Sequence, residues 1–151
     1  MSKNERWTPH VTVATIVEQN SRFLLVHEAP DGSPVYNQPA GHLDEGEKLT
    51  TAARRETLEE TGWDVTITDY LGLYRYIAPN RVTYLRHGFV AKPVKHYPKQ
   101  SLDTGIIEAV WMTYEEIQKR ETEMRSTLVK QLIDDYRSGR FYPLAVLNED
   151  R

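Results

Sequence analysis

The chain has 151 residues, 39% of them hydrophobic, a formal net charge of -3 and no cysteine. At that length one domain around one core is the expectation, and disulfides, thiolate catalysis and cysteine-ligated zinc are excluded. A mildly acidic chain sets up no overall field for nucleic acid or an anionic membrane, so no stable nucleic-acid partner and no membrane partner is expected. A phosphate substrate would need metal ions or a local basic patch.

The opening residues MSKNERWTPH are polar, with no apolar signal-peptide core. No apolar run approaches the roughly 18 residues of a membrane-spanning helix. A cytoplasmic location fits this pattern. Residues 1–8 read as a flexible lead-in, and residues 9–147 as the single domain. Val11–Val17 (VTVATIV) is β-branched and apolar, the pattern of a buried strand. Glu18–Ser21 reads as a turn and Arg22–His27 as the returning strand of a hairpin. Ala29–Pro34 (APDGSP) is a second turn. Val35–Gln38 predicts a short strand, and Pro39-Ala40-Gly41 a break in regular structure.

A helix is predicted over Leu49–Thr61, with Leu49, Ala52, Ala53 and Leu58 on its inner side and Gly62 as its stop. Val65–Tyr76 predicts one or two strands, Val82–Ala91 a further strand paired with them, and Lys92–Thr104 a polar loop. Ile106–Met112 is the next strand. Thr113 has the capping-box spacing to Glu116 for a short helix at Tyr114–Lys119. In Met124–Tyr136, Leu128, Leu132 and Tyr136 share one helical face. Phe141–Leu147 is an apolar tail that packs back on the domain. It would serve a monomer core or a homodimer equally.

The chemistry concentrates between Gly41 and Trp63, GHLDEGEKLTTAARRETLEETGW. Glu56, Glu59 and Glu60 lie at i, i+3 and i+4, so one helix face carries three carboxylates. Such repulsion weakens an isolated helix, and a divalent cation offsets it; hard cations prefer oxygen ligands. An acidic helix alone is most often a solvated face. Here the spacing is fuller: Gly41, five residues, Glu47, seven residues, Arg55-Glu56, two residues, Glu59-Glu60, one residue, Gly62. With each residue type at roughly 7%, seven such matches arise by chance on the order of once in 10^8 starts.

This pattern resembles the Nudix box of the Nudix hydrolase superfamily at every charged and glycine position. Thr57 departs from the aliphatic residue usual there, and Trp63 closes the box. The resemblance implies a Nudix fold of the α/β (α+β) class, a mixed β-sheet sandwiched between helices. It also implies a phosphoanhydride hydrolase that uses Mg2+, with Mn2+ as the alternative ion. On that analogy Glu56, Glu59, Glu60 and the Gly41 carbonyl are metal ligands, and Glu56 is a candidate for positioning the attacking water. Arg55 would pair with and orient the carboxylates, and Glu47 would tie the loop to the helix.

Outside the box, PHVTVATIV, YNQPAGHLDEGE, YIAPN, YLRHGF, RSTLV and DYRSGRFYPL resemble the NudJ-type phosphatases of bacteria. That resemblance implies release of phosphate from nucleoside tri- and diphosphates and from related pyrophosphates such as hydroxymethylpyrimidine pyrophosphate. The alternatives are an ADP-ribose or nucleotide-sugar pyrophosphatase and, from another class, a non-catalytic ligand-binding sensor.

Further candidates are single residues. Glu108 and Asp103 compete for the role of an added acidic group, against a solvent-facing position. Arg86 and His87 sit mid-strand, where charge is unusual; one reaching phosphate is weighed against a surface position. Tyr74, Tyr76 and Tyr84 could stack a base or simply pack. Asn37, Gln38 and His42 flank the box and could contact a ligand, with a turn role the alternative for Asn37 and Gln38. Lys92, Lys95, His96 and Lys99 read as a solvated basic loop.

Overall fold

The computed structural model describes residues 5–149. The first four positions of the expected lead-in lie outside them, and residues 5–8 are irregular and exposed. Strand β1 (His10–Gln19) is buried continuously from Thr12 to Val17. A strand reads as an unbroken apolar run when both its faces are covered, and here they are. Val13 packs with Ala52, Ala53 and Phe89 on one side. Ala14 and Ile16 join Leu71, Leu128 and Leu132 on the other.

Strand β2 (Arg22–Glu28) returns antiparallel to β1. The turn is only Asn20-Ser21, at φ 53° and 62°, the left-handed pair that a tight hairpin requires. β3 (Val35–Asn37) pairs with β2. The expected break at Pro39-Ala40-Gly41 is corrected. Ala40–His42 forms β4, antiparallel to β1, and only Pro39 stays outside. Proline has no N–H to give a ladder, but its carbonyl still accepts from the Thr15 N–H at 3.0 Å.

Helix α1 (Leu49–Thr61) ends at Gly62, whose φ of 74° is left-handed and whose N–H returns to the Leu58 carbonyl at 2.9 Å. Ala52 and Ala53 are buried, and Leu49 packs beside them. Leu58 is only half-buried; Thr57 takes the inward place expected of it. The Thr57 hydroxyl donates to the Ala53 carbonyl at 2.7 Å. The hydrogen bond offsets the cost of burying the hydroxyl, which is how a polar residue fits an aliphatic position of the box.

Strand β5 (Trp63–Ile77) is a single strand, and β6 (Thr83–His96) runs antiparallel to it for its whole length. The expected loop at Lys92–Thr104 is therefore corrected for its first five residues. Polar residues continue the strand because β5 supplies ladder partners as far as Trp63↔His96, and those two rings stack at 4.5 Å. β6 also runs parallel to β1, so the sheet is mixed. β7 (Ile106–Thr113) pairs with β2. α2 (Tyr114–Lys119) starts from the Thr113–Glu116 capping box. α3 (Thr127–Arg137) starts three residues later than expected, where the Ser126 hydroxyl accepts from the Leu128 N–H at 3.3 Å.

β8 (Tyr142–Pro143) adds to β5 only at Asp69 and Tyr70. Beyond them, β5 has no second strand partner among the described residues, and Leu73 and Ile77 stand 55% exposed. Of the apolar tail, Leu144 and Leu147 pack against the Val13–Phe89 cluster, whereas Phe141, Tyr142 and Val146 remain exposed. The result is a mixed sheet between α1 on one face and α3 on the other, an α+β sandwich. None of the helices is long and apolar enough to cross a membrane, among the described residues.

Candidate active site

The site is built from one face of α1 and the backbone of β4. The Gly41 strand backbone passes so close to α1 that a Cβ at Gly41 would fall 2.1 Å from Glu56 Cδ. The glycine is thus a clearance, and the Glu56 carboxylate fills the space a side chain would take. One residue earlier in β4, the Ala40 N–H donates to Glu60 Oε1 at 2.8 Å.

Arg55 organises the outer side. Its Nε and Nη2 donate to the two oxygens of Glu47 at 2.7 and 3.0 Å, a two-point geometry that fixes orientation as well as charge. Nη1 reaches Glu56 at 2.8 Å and Glu59 at 3.2 Å, and Nη2 also donates to the His42 carbonyl at 3.1 Å. Glu47 in turn accepts from the Asp44 N–H at 3.1 Å. One guanidinium therefore ties together the incoming loop, β4 and two carboxylates of the helix. Arg55 holds the Glu47 carboxyl below its usual range, mainly through their hydrogen bonds.

The inner carboxylates behave oppositely. Burial pushes the Glu60 carboxyl up to about 8, against the Ala40 hydrogen bond and with help from Glu28, Glu56 and Asp103. Burial also raises Glu56, opposed by Arg55. Glu56, Glu60 and Asp103 offer oxygen atoms that all lie within 4.8 Å of one another. Packed carboxylates raise one another's affinity for protons or for a cation. An all-oxygen set of this kind fits a hard divalent ion.

Glu59 is turned toward Arg55 and stands outside that tight group; its side chain is 40% exposed. Asp103 takes the third place, because the loop before β7 is fastened to the helix end by its own N–H, 3.1 Å from the Glu59 carbonyl. Glu108 lies elsewhere. It is exposed on β7 and faces His27 across the ladder.

Arg86 is corrected most. It is 7% exposed, not on the surface, and its Nη2 donates to Asn37 Oδ1 at 3.0 Å. Asn37 and Gln38 are buried, and the Gln38 amide donates to the Val129 carbonyl at 2.6 Å. His42 stands beside His10, 3.2 Å between ring nitrogens, with the Tyr84 ring 6.4 Å away. Burial lowers the His42 pKa, and His10 and Arg125 lower it further. The Tyr74 hydroxyl is engaged with Asp135 at 2.6 Å, and Tyr76 packs on the core, so neither ring is free for a base. His87 bonds to the Tyr70 hydroxyl at 2.9 Å. Lys92, Lys95 and Lys99 are exposed.

A mixed sheet between helices, with this box on the helix that faces β4, defines a Nudix hydrolase. The chain belongs to the NUDIX-domain family, whose model matches residues 8–132. It is 39% identical over 141 residues to a protein named phosphatase NudJ from Shigella boydii serotype 4 (strain Sb227), covering 93% of this chain and 92% of that one. The protein of the same name from Escherichia coli (strain K12) is 38% identical over the same shares of both chains. A solved NUDIX hydrolase from Nitrosomonas europaea is similar with a TM-score of 0.93 at 42% identity, covering 95% of this chain and 98% of that one.

Proposed function

We propose that this Nudix hydrolase is a Mg2+-dependent phosphatase of nucleoside tri- and diphosphates and related pyrophosphates, with residues 9–147 as its one domain. The observation that carries the reading is the close approach of Glu56, Glu60 and Asp103 on the box helix and its neighbouring loop. The likeness to proteins named phosphatase NudJ supports a phosphatase reading, and we take the bond cleaved to be a terminal phosphoanhydride.

Glu56, Glu59, Glu60, Asp103 and the Gly41 carbonyl are the groups that would hold the ion. A bound divalent ion neutralises phosphate charge and makes a coordinated water more acidic. The chain's own residues do the rest. Arg55 donates to Glu56 and Glu59 and aims them, and the Ala40 N–H fixes one oxygen of Glu60. Glu56, half-buried and raised in pKa, is our candidate to take the proton of the attacking water. The water oxygen bonds to the terminal phosphorus, the bridging P–O bond breaks, the bridging oxygen leaves with the electron pair on the shortened nucleotide, and the terminal phosphoryl group departs as orthophosphate.

The test is a substrate panel with Mg2+: nucleoside triphosphates, nucleoside diphosphates, ADP-ribose and hydroxymethylpyrimidine pyrophosphate. Orthophosphate from the tri- and diphosphates is the expected product. Turnover of ADP-ribose alone would sink the reading, and tight binding without turnover would make the protein a sensor. Glu59→Gln and Glu60→Gln should each abolish metal-dependent turnover with the fold retained.

A further inference from the structure

Arg86 is a buried cation with no direct ion pair among the described residues. Among the described residues no carboxylate lies within 4.0 Å of its guanidinium nitrogens as an ion pair. Its guanidinium donates to the neutral Asn37 amide, and its Nε–H is buried with no hydrogen-bond partner among the described residues. A charge held this way is costly unless something anionic completes it. Replacement by an apolar side chain would spare that cost, so the position is explained poorly by packing alone.

The surroundings say what completes it. Arg86 feels three charges: Arg125 opposes its own, and Glu28 and Glu60 support it. Glu28 is already taken, because Arg125 Nη1 donates to it at 3.1 Å. Glu60 belongs to the carboxylate cluster and accepts the Ala40 N–H. Two arginines therefore repel each other across one shared carboxylate, directly beside the cluster. Strand register places Arg86 there: Arg86 pairs with Thr12, and Thr12 pairs with His42 of β4. Arg125 is held at the other side by its own N–H, 2.8 Å from the Tyr36 carbonyl. Its side chain is 48% exposed, so it is reachable from solvent, whereas Arg86 is buried.

We propose that Arg86 and Arg125 form the subsite for the terminal phosphate of the substrate, with Arg86 as the inner ligand. Planar guanidinium forks match phosphate oxygens. A terminal phosphate carries up to two negative charges and an internal phosphodiester carries one, so a two-arginine subsite selects chain-end phosphates. This deepens the phosphatase reading and rests on it, since it gives the released group a place of its own. Arg125 is drawn from Glu28 onto the phosphate, and the phosphate relieves the repulsion between the two guanidinium groups.

The experiment uses the full chain and two probes, inorganic phosphate and α,β-methylene-ADP. In wild-type protein the Arg86 Nε–H resonance, assigned by its loss in Arg86→Lys, should shift on adding either probe. Arg125→Ala, at an exposed side chain, should raise KM for nucleoside diphosphates about 10-fold or more with kcat changed less. It should weaken inhibition by phosphate to the same degree. Arg86→Met should do so more strongly at an unchanged or higher melting temperature.

An unmoved Nε–H resonance would overturn the proposal, as would unchanged KM and phosphate inhibition in Arg125→Ala. If Arg86→Met does not fold, the wild-type resonance and Arg125→Ala still decide. Should wild-type protein turn over no substrate while phosphate shifts the resonance, the hydrolase reading fails and the anion subsite stands. Should turnover be normal and the resonance unmoved, the subsite fails and the hydrolase reading stands.

Discussion

The Glu149 carboxylate accepts from the backbone N–H of Leu49 at 2.5 Å and from the Thr50 hydroxyl at 3.1 Å. Leu49 opens α1, and Lys48 before it offers no side-chain cap. Helix α1 is thus capped from 100 residues away. A carboxylate at a helix N-terminus satisfies free N–H groups and opposes the helix dipole. Glu149→Ala should cost about 1 kcal/mol, which at this chain length lowers the melting temperature by roughly 2–4 °C. Calorimetry checks this, and an unchanged transition would mean that solvent caps the helix equally well.

Gly41→Ala tests the clearance. The added methyl group meets a flexible carboxylate, not backbone, so the fold should survive and Glu56 should be displaced. A displacement on the order of 1 Å at a reacting group costs about 100-fold in rate. The expected result is a loss of that size in kcat/KM with unchanged far-UV circular dichroism.

Arg55→Lys keeps one positive charge and loses the two-point hold on Glu47 and the bonds to Glu56, Glu59 and the His42 carbonyl. Groups that orient metal-binding carboxylates are typically worth 10–100-fold in metal affinity. Titration calorimetry with Mn2+ should show a drop of about that size. Equal affinity in both proteins would place the carboxylates' orientation in the helix alone.

Protonation of Glu60 gives the metal-free protein a characteristic pH dependence. Its pKa rises from the ordinary 4.5 to about 8 on folding, so folding favours the protonated form. That contribution is fully present below pH 4.5 and is lost as pH rises toward 8. In chelator, the melting temperature of wild type minus that of Glu60→Gln should fall across this window. Added Mg2+ competes with the proton, so it should stabilise wild type more at pH 8 than at pH 6. A difference that stays flat with pH would show that Glu60 titrates normally.

What the sequence makes legible is what local spacing can encode. The helix Leu49–Thr61, the glycine stop at Gly62 and the Thr113–Glu116 cap each depend on residues within a few positions of one another, and each lies where the spacing puts it. The strands β1 and β2 follow from β-branched runs. Three features depend on distant partners. Asp103 reaches the cluster through a backbone bond to the helix end, Arg86 is buried and bonded to Asn37 from a distant strand, and β6 outruns its apolar stretch because β5 continues beside it. No local pattern encodes such neighbours.

The uncovered edge of β5 bears on handling the protein as much as on its architecture. Past Tyr70 the strand offers open backbone donors and acceptors beside Leu73 and Ile77, both half in solvent. Such an edge is a template for another strand, and Arg75 between the two apolar residues is its only charge from Leu71 to Ile77. That single cation acts as a gatekeeper against sheet-to-sheet aggregation. Concentrated stocks should therefore keep better at low salt, where like charges on approaching edges still repel, than at high salt, where that repulsion is screened.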